Sequence, residues 1–411
     1  MRVKFGLAAV FLPALLRGSP EIAPGFTFVP ETPFRGDEIK IREPRGSEEF
    51  LDIFSYRLPY AWEERGERSA MKFQGTAGSV STDRFWIDQR IHFAYDLARR
   101  LRFWARAFEA EDFDSRYRRF ELGVDVQALS WLWLGVYGEV LAEKGGNDLG
   151  LRAVFPRVLG QRVTAGLELP DLLMNRRGED LNQRYSRYGR SYYVDVEGGI
   201  GSRIAWHWGV RGNAPLALED ENRRLDFRYG QVSAYGRLRA DVTDRLTCVF
   251  YAAGEGADKG YRPWSASDFE REDFFRRALQ GRAELRWTVA PSITPYGGAR
   301  AFRLQEKERF LDGSRPADLY RHREYLGYVG IELALTRYAV LRPELIAGHI
   351  DRVTRFAGPE GEHRSSHRWA GKLSFPLDIR FADNAGIIAG ASLDLDEQKF
   401  GGGTLSLQMT Y

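Results

Sequence analysis

The chain has 411 residues, 28% of them charged and 13% aromatic, with 43 glycines, one cysteine and a formal net charge of +3. Mean hydropathy is −0.42, and the longest apolar run, Phe5–Leu16, falls short of the ~20 residues a membrane-spanning helix needs, which excludes a helical membrane bundle. The aromatic content excludes a disordered chain, the balanced charge a nucleic-acid binder, and the lone Cys248 an internal disulfide or a cysteine-based metal cluster.

At the N-terminus, basic Met1–Lys4 precedes the apolar run, and Arg17-Gly18-Ser19-Pro20 follows it. A basic segment before a short apolar one is the pattern of a secretory signal, here residues 1–19, and implies export. Residues 20–68 are rich in Pro, Glu and Arg and show little alternation before the stretch Glu48–Glu64. They are expected to form a periplasmic N-terminal extension, with one short helix around Glu49–Tyr56.

From 69 to 411 a single pattern repeats. In the first such segment Phe85, Ile87, Ile91, Phe93, Tyr95 and Leu97 share one side, while Asp88, Arg90, His92 and Asp96 share the other. Alternation of period two is the signature of a strand with one apolar and one polar face. The same pattern recurs around 101–107, 120–127, 162–169, 282–289, 368–381 and 404–411. Many of these segments exceed the ~5–6 residues of a soluble sheet strand. Runs of ~10 residues suit strands that meet lipid on one side and water on the other.

Short turns are expected near 98–99, 130, 159–160, 201–202, 243–244, 291, 336–337 and 382–384. Longer connections are expected at 175–189, 254–273, 305–321 and 351–366. The expected fold is all-β: an antiparallel transmembrane β-barrel over 69–411 with about 18 strands, 16 as the alternative. An even count would place both termini in the periplasm. Trp131, Trp133, Trp206, Trp208, Trp287, Tyr338, Phe381 and Tyr411 lie beside the short turns, as an interfacial girdle would.

The final segment, Gly403–Tyr411, alternates and ends on an aromatic residue. It resembles the terminal strand of bacterial outer-membrane β-barrel proteins, a class that includes porins and polysaccharide-export channels. The resemblance implies the outer membrane of a Gram-negative bacterium, outer-membrane lipid as surroundings, and recognition by the barrel-assembly machinery through Tyr411.

The polar face defines the candidate site. Arg90, Arg102, Arg106, Arg119, Asp125, Arg237, Arg239, Arg282, Glu284, Arg286, Arg368 and Arg380 are expected to line a lumen. The excess of Arg over Lys favours planar, bidentate pairing with carboxylates. Such residues either guide a hydrophilic solute or brace the wall as cross-strand ion pairs. Trp104, Tyr137, Tyr193, Tyr235 and Tyr296 could form a stacking slide for sugars. The six histidines, His92, His207, His322, His349, His363 and His367, sit in no nucleophile or metal motif, so no enzyme activity, cofactor or metal is expected. The function expected is an outer-membrane channel passing hydrophilic solutes. The alternatives are an export pore for a secreted polysaccharide and a sheath for a periplasmic partner such as a multihaem cytochrome.

Overall fold

The computed structural model describes residues 55–80, 84–111, 116–141, 146–158, 160–175, 183–221, 225–263, 272–310, 318–355, 363–382, 385–396 and 398–410. The expected signal 1–19, most of the expected extension and Tyr411 lie outside them. Among the described residues no helix is long and apolar enough to cross a membrane.

The regular elements are strands. They begin with β1 (Ser55–Arg65), β2 (Ser69–Val80), β3 (Arg84–Ala98), β4 (Leu101–Glu111), β5 (Arg116–Leu129), β6 (Leu132–Leu141) and β7 (Gly146–Val158). Next come β8 (Gln161–Asn175), β9 (Gln183–Arg187), β10 (Arg190–Ile200), β11 (Ile204–Asp220), β12 (Leu225–Asp241), β13 (Leu246–Pro263) and β14 (Glu272–Trp287). The last are β15 (Ile293–Phe310), β16 (Asp318–Thr336), β17 (Ala339–Leu341), β18 (Glu344–Arg355), β19 (His363–Ala382), β20 (Ala385–Asp394) and β21 (Lys399–Thr410).

All belong to one sheet of 21 segments in which sequence neighbours pair antiparallel. Two pairs of segments are interrupted strands. β9 and β10 both pair with β11, and β17 and β18 both pair with β16 and β19. Counting each interruption once, the 21 segments reduce to 19 strands among the described residues, β1 and 18 from β2 to β21. β1 also pairs with β21, in parallel, from Ser55 opposite Thr404 to Ala61 opposite Thr410. First and last strands of an up-and-down sheet run the same way only when the number of crossings is odd. Over the expected range, 69–411, the strands number 18, and the parallel contact of the first and last strands comes from β1, which lies ahead of that range.

β1 joins the sheet ahead of the boundary expected at residue 69, while most of the helix expected near 49–56 lies outside the described residues. Ser55–Arg65 pairs residue for residue with Ala70–Val80. Its sequence places Tyr56, Leu58, Tyr60 and Trp62 at alternate positions, in keeping with a strand.

The short turns fall where expected. Two of them use glycines in the left-handed region, Gly160 (φ 78) and Gly201 (φ 57), where a side chain would be strained. The long connections are shorter than expected. β13, β15, β16 and β19 run 18, 18, 19 and 20 residues. Both faces of these strands turn polar at their far ends, so the alternation fades while the backbone ladder continues.

The burial pattern inverts that of a soluble protein. Trp369, Val329 and Leu279 are 74%, 61% and 59% exposed, whereas Glu121, Glu324 and Asp378 are only 1%, 1% and 2% exposed. Altogether 38 large apolar side chains are exposed among the described residues. At roughly 1 kcal/mol each for partial exposure, water would penalise this surface by tens of kcal/mol, several times the ~5–15 kcal/mol stability of a domain.

Candidate functional site

The charged face is organised by register. Along β4 and β5, Arg102 lies opposite Asp125, Trp104 opposite Gly123 and Arg106 opposite Glu121. Arg106 pairs with Glu121 at 2.7 Å. Arg119 reaches Glu121 at 2.5 Å, Glu168 at 2.8 Å and Asp148 at 3.7 Å. Arg152 donates from Nε to Asp125 at 2.8 Å while its guanidinium lies 3.9 Å from the centre of the Trp104 ring. Trp104 Nε1 donates to the same Asp125 oxygen at 3.2 Å, and the Tyr137 hydroxyl donates to Glu168 at 2.8 Å. Asp125 and Glu121 are thus desolvated and ion-paired. Arg102 sits at the margin, 2.6 Å from Asp96 and over Trp133.

A second cluster spans β14 to β19. Arg282 and Glu284 pair with each other, and the Tyr328 hydroxyl joins them, 2.9 Å from Arg282 Nε and 2.9 Å from Glu284. Arg286 pairs with Glu332, which Arg342 also reaches at 3.1 Å before extending to Asp378 at 3.4 Å. Glu284 and Glu332 each serve two cations, so the charges form a ladder rather than isolated pairs.

A third cluster lies on β10, β11 and β12. His207 Nε2 is 2.8 Å from Asp195 and 3.1 Å from the Tyr235 hydroxyl, which donates to the other Asp195 oxygen. Asp195, Glu197 and His207 offer donor atoms within 4.8 Å of one another, a set with the chemistry to hold a divalent transition ion. Their mutual hydrogen bonds already account for the arrangement.

The structure therefore brings Arg102, Arg106, Arg119, Asp125, Arg282, Glu284 and Arg286 into ion-paired networks. Arg239 is half-exposed at the margin, 3.3 Å from Asp241. Arg237 lies on the same face, opposite His207 and Tyr251. Arg368 and Arg380 are exposed on β19, opposite Ile350 and Gly386 respectively. Arg90 is placed in β3 opposite Gln74 and Phe108.

The aromatic residues of the expected stacking slide share one local arrangement. Each lies over a glycine directly opposite on the next strand: Trp104 over Gly123, Tyr137 over Gly150, Tyr193 over Gly166, Tyr235 over Gly209 and Tyr296 over Gly330. Trp104 and Tyr137 retain 1% and 2% exposure, so they offer no face to a sugar. Trp133 is likewise not part of an apolar girdle, since it receives Arg102 on the charged face. Tyr328, which bridges Arg282 to Glu284, escaped the sequence reading. Its signal, a polar-face Tyr opposite Gly298, appears only once register is known.

No protein-family model matches the chain, and no curated protein matches its sequence. Among solved structures, one described as a bacterial polysaccharide outer membrane secretin is 14% identical, with a TM-score of 0.35, covering 78% of this chain and 100% of its own. OmpT, an outer membrane protein of Vibrio cholerae, is 12% identical with a TM-score of 0.35, covering 76% of this chain and 98% of its own. These likenesses are too distant to assign a solute or an activity.

Proposed function

We propose that the chain is a transmembrane β-barrel of a bacterial outer membrane that passes hydrophilic solutes through a charged lumen. One observation carries this reading: the two faces of the sheet are inverted, with large apolar side chains exposed on one and paired ions buried on the other. Lipid is the surrounding that removes the cost of the apolar face. The pairing of β1 with β21 supports closure, because a ring of strands leaves no row of unpaired backbone groups to face hydrocarbon.

The lumen wall is braced rather than bristling. Ions tied into ladders hold a wide wall open, and selection then falls to pore width and to the cations more exposed to the lumen. Arg102, Arg239, Arg368 and Arg380 are the candidates, being half-exposed or exposed on the charged face. The burial of Trp104 and Tyr137 counts against a continuous polysaccharide slide, so passive diffusion is favoured over export. The proposal includes no catalytic step and no cofactor.

Conductance of the purified protein in planar bilayers tests this. Discrete open-channel steps are expected, with ion selectivity shifted in Arg102→Ala/Arg368→Ala. A folded protein that inserts but does not conduct would overturn the channel and favour a sheath or a filled lumen.

A further inference from the structure

The apolar face carries a groove of about 860 Å³ that the channel reading leaves unused. Its walls are small side chains on four successive strands, Ala252, Gly281, Ala283, Ala299, Ala301 and Gly327, with Trp208 and Tyr325 towards its two ends. The groove crosses the strands in register. Phe250 lies opposite Ala283, Ala283 opposite Ala299, and Ala299 opposite Gly327. At ~4.8 Å per strand, five strands from β12 to β16 give a trough of roughly 20 Å, long enough for an extended acyl chain.

Among the described residues nothing fills it. A methyl group built on Gly281 would meet only the Tyr251 carbonyl at 3.7 Å, and one on Gly327 would meet nothing nearer than 3.9 Å. The groove also climbs. Leu238, at one end, is three residues from the short-turn end of β12 at Asp241, while Gly327 is nine residues from the short-turn end of β16 at Thr336.

At the high end the face changes character. Two residues beyond Ala301 and Tyr325, on the same side by alternation, Arg303 and Arg323 stand directly opposite each other. Like charges in directly opposed positions destabilise a sheet. Among the described residues no carboxylate pairs with either. Asp351, opposite Arg323 on β18, is shared by Arg321 at 3.8 Å and His367 at 3.1 Å. Arg303 has only Gln305 at 3.5 Å, and Arg323 Nε is buried with no hydrogen-bond partner. Arg277 is also exposed on this side, opposite Gln305. Arg303 is ten residues up β15 from Ile293. With strands tilted by ~40°, that rise is about 25 Å, the height of a barrel's apolar band, and so reaches headgroup level.

We infer that the Arg303–Arg323 pair and the groove below it bind a phosphate-bearing anionic lipid of the outer leaflet. The phosphate sits between the two guanidiniums, which offer planar bidentate donors and are relieved of mutual repulsion. An acyl chain lies along the Ala/Gly trough. Leaving bulk hydrocarbon for that trough gains only van der Waals contact, so preference comes from the phosphate and the trough sets the fit. This inference rests on the proposed membrane reading, but not on whether the barrel conducts.

Native mass spectrometry of the full-length protein in detergent tests it, with diphosphorylated lipid A, the same lipid without phosphates, and inorganic phosphate as probes. Phosphorylated lipid A is expected to bind at least tenfold more tightly than the dephosphorylated form. Arg303→Ala/Arg323→Ala should abolish that preference while planar-bilayer conductance stays unchanged. Arg303→Lys/Arg323→Lys should retain part of it, which covers the case that the Ala pair folds poorly. Gly281→Leu/Ala301→Leu should weaken both lipids while preserving their ratio. Equal binding of the two lipids, or a preference that survives in the Ala pair, overturns the inference. Displacement of lipid A by millimolar inorganic phosphate overturns the lipid as occupant and leaves only an anion site.

Discussion

The glycines on the two faces of this sheet do opposite jobs. On the charged face Gly123, Gly150 and Gly166 lie beneath Trp104, Tyr137 and Tyr193, and a methyl group at any of them would strike the ring. On the apolar face Gly281 and Gly327 are bare, with no side chain lying over them. In the first setting glycine makes room for a neighbour whose hydroxyl or indole N–H then anchors a carboxylate. In the second it makes room for something outside the chain. The same residue type thus rigidifies one face and leaves a recess in the other.

The contrast breaks most visibly at Asp125. It accepts from Trp104 and Arg152, and it is 3% exposed. Asp125→Ala should cost about 3–5 kcal/mol, because it leaves Arg152 desolvated without its partner. The urea midpoint for loss of the compact form in detergent would measure this, with Asp125→Asn recovering part of the loss. A cost below ~1 kcal/mol would show the network to be ornamental.

Gly150→Ala comes next. Displacing the Tyr137 ring from its recess and its hydroxyl from Glu168 should cost about 1–3 kcal/mol by the same assay. Combined with Tyr137→Ala, the added methyl should become nearly neutral, which would show that the ring alone makes the site intolerant.

Arg102→Ala is smaller still. The Arg102–Asp96 pair is 39% and 40% exposed, so its loss should cost no more than ~1 kcal/mol and be felt in ion selectivity instead. Gly281→Ala should lie within about ±0.5 kcal/mol of the parent, since its methyl enters open space. A large loss there would mean that the two glycine populations do not differ as proposed.

Much of this was legible in the residues. Alternation marked the two faces, and the turns at Gly160 and Gly201 were visible as breaks in it. The arginines of the charged face were identifiable one by one, because period two assigns each to a side. What stayed hidden falls into two kinds. The far ends of β13 and β19 carry polar residues on both sides, so their pattern is indistinguishable from a connection. Partnerships were the other blind spot. Tyr328 beside Arg282 and Glu284, and Arg303 against Arg323, join residues 20 to 46 positions apart.

The sequence by itself determined the all-β class, the inversion of apolar and charged faces, and the side to which each arginine belongs, because side-chain direction along a strand is set by the local backbone alone. Only the tertiary structure decided the pairing of β1 with β21, the pairing of the ions and which glycines are covered. Those depend on register, which arises from hydrogen bonds between strands and leaves no local trace in either strand alone.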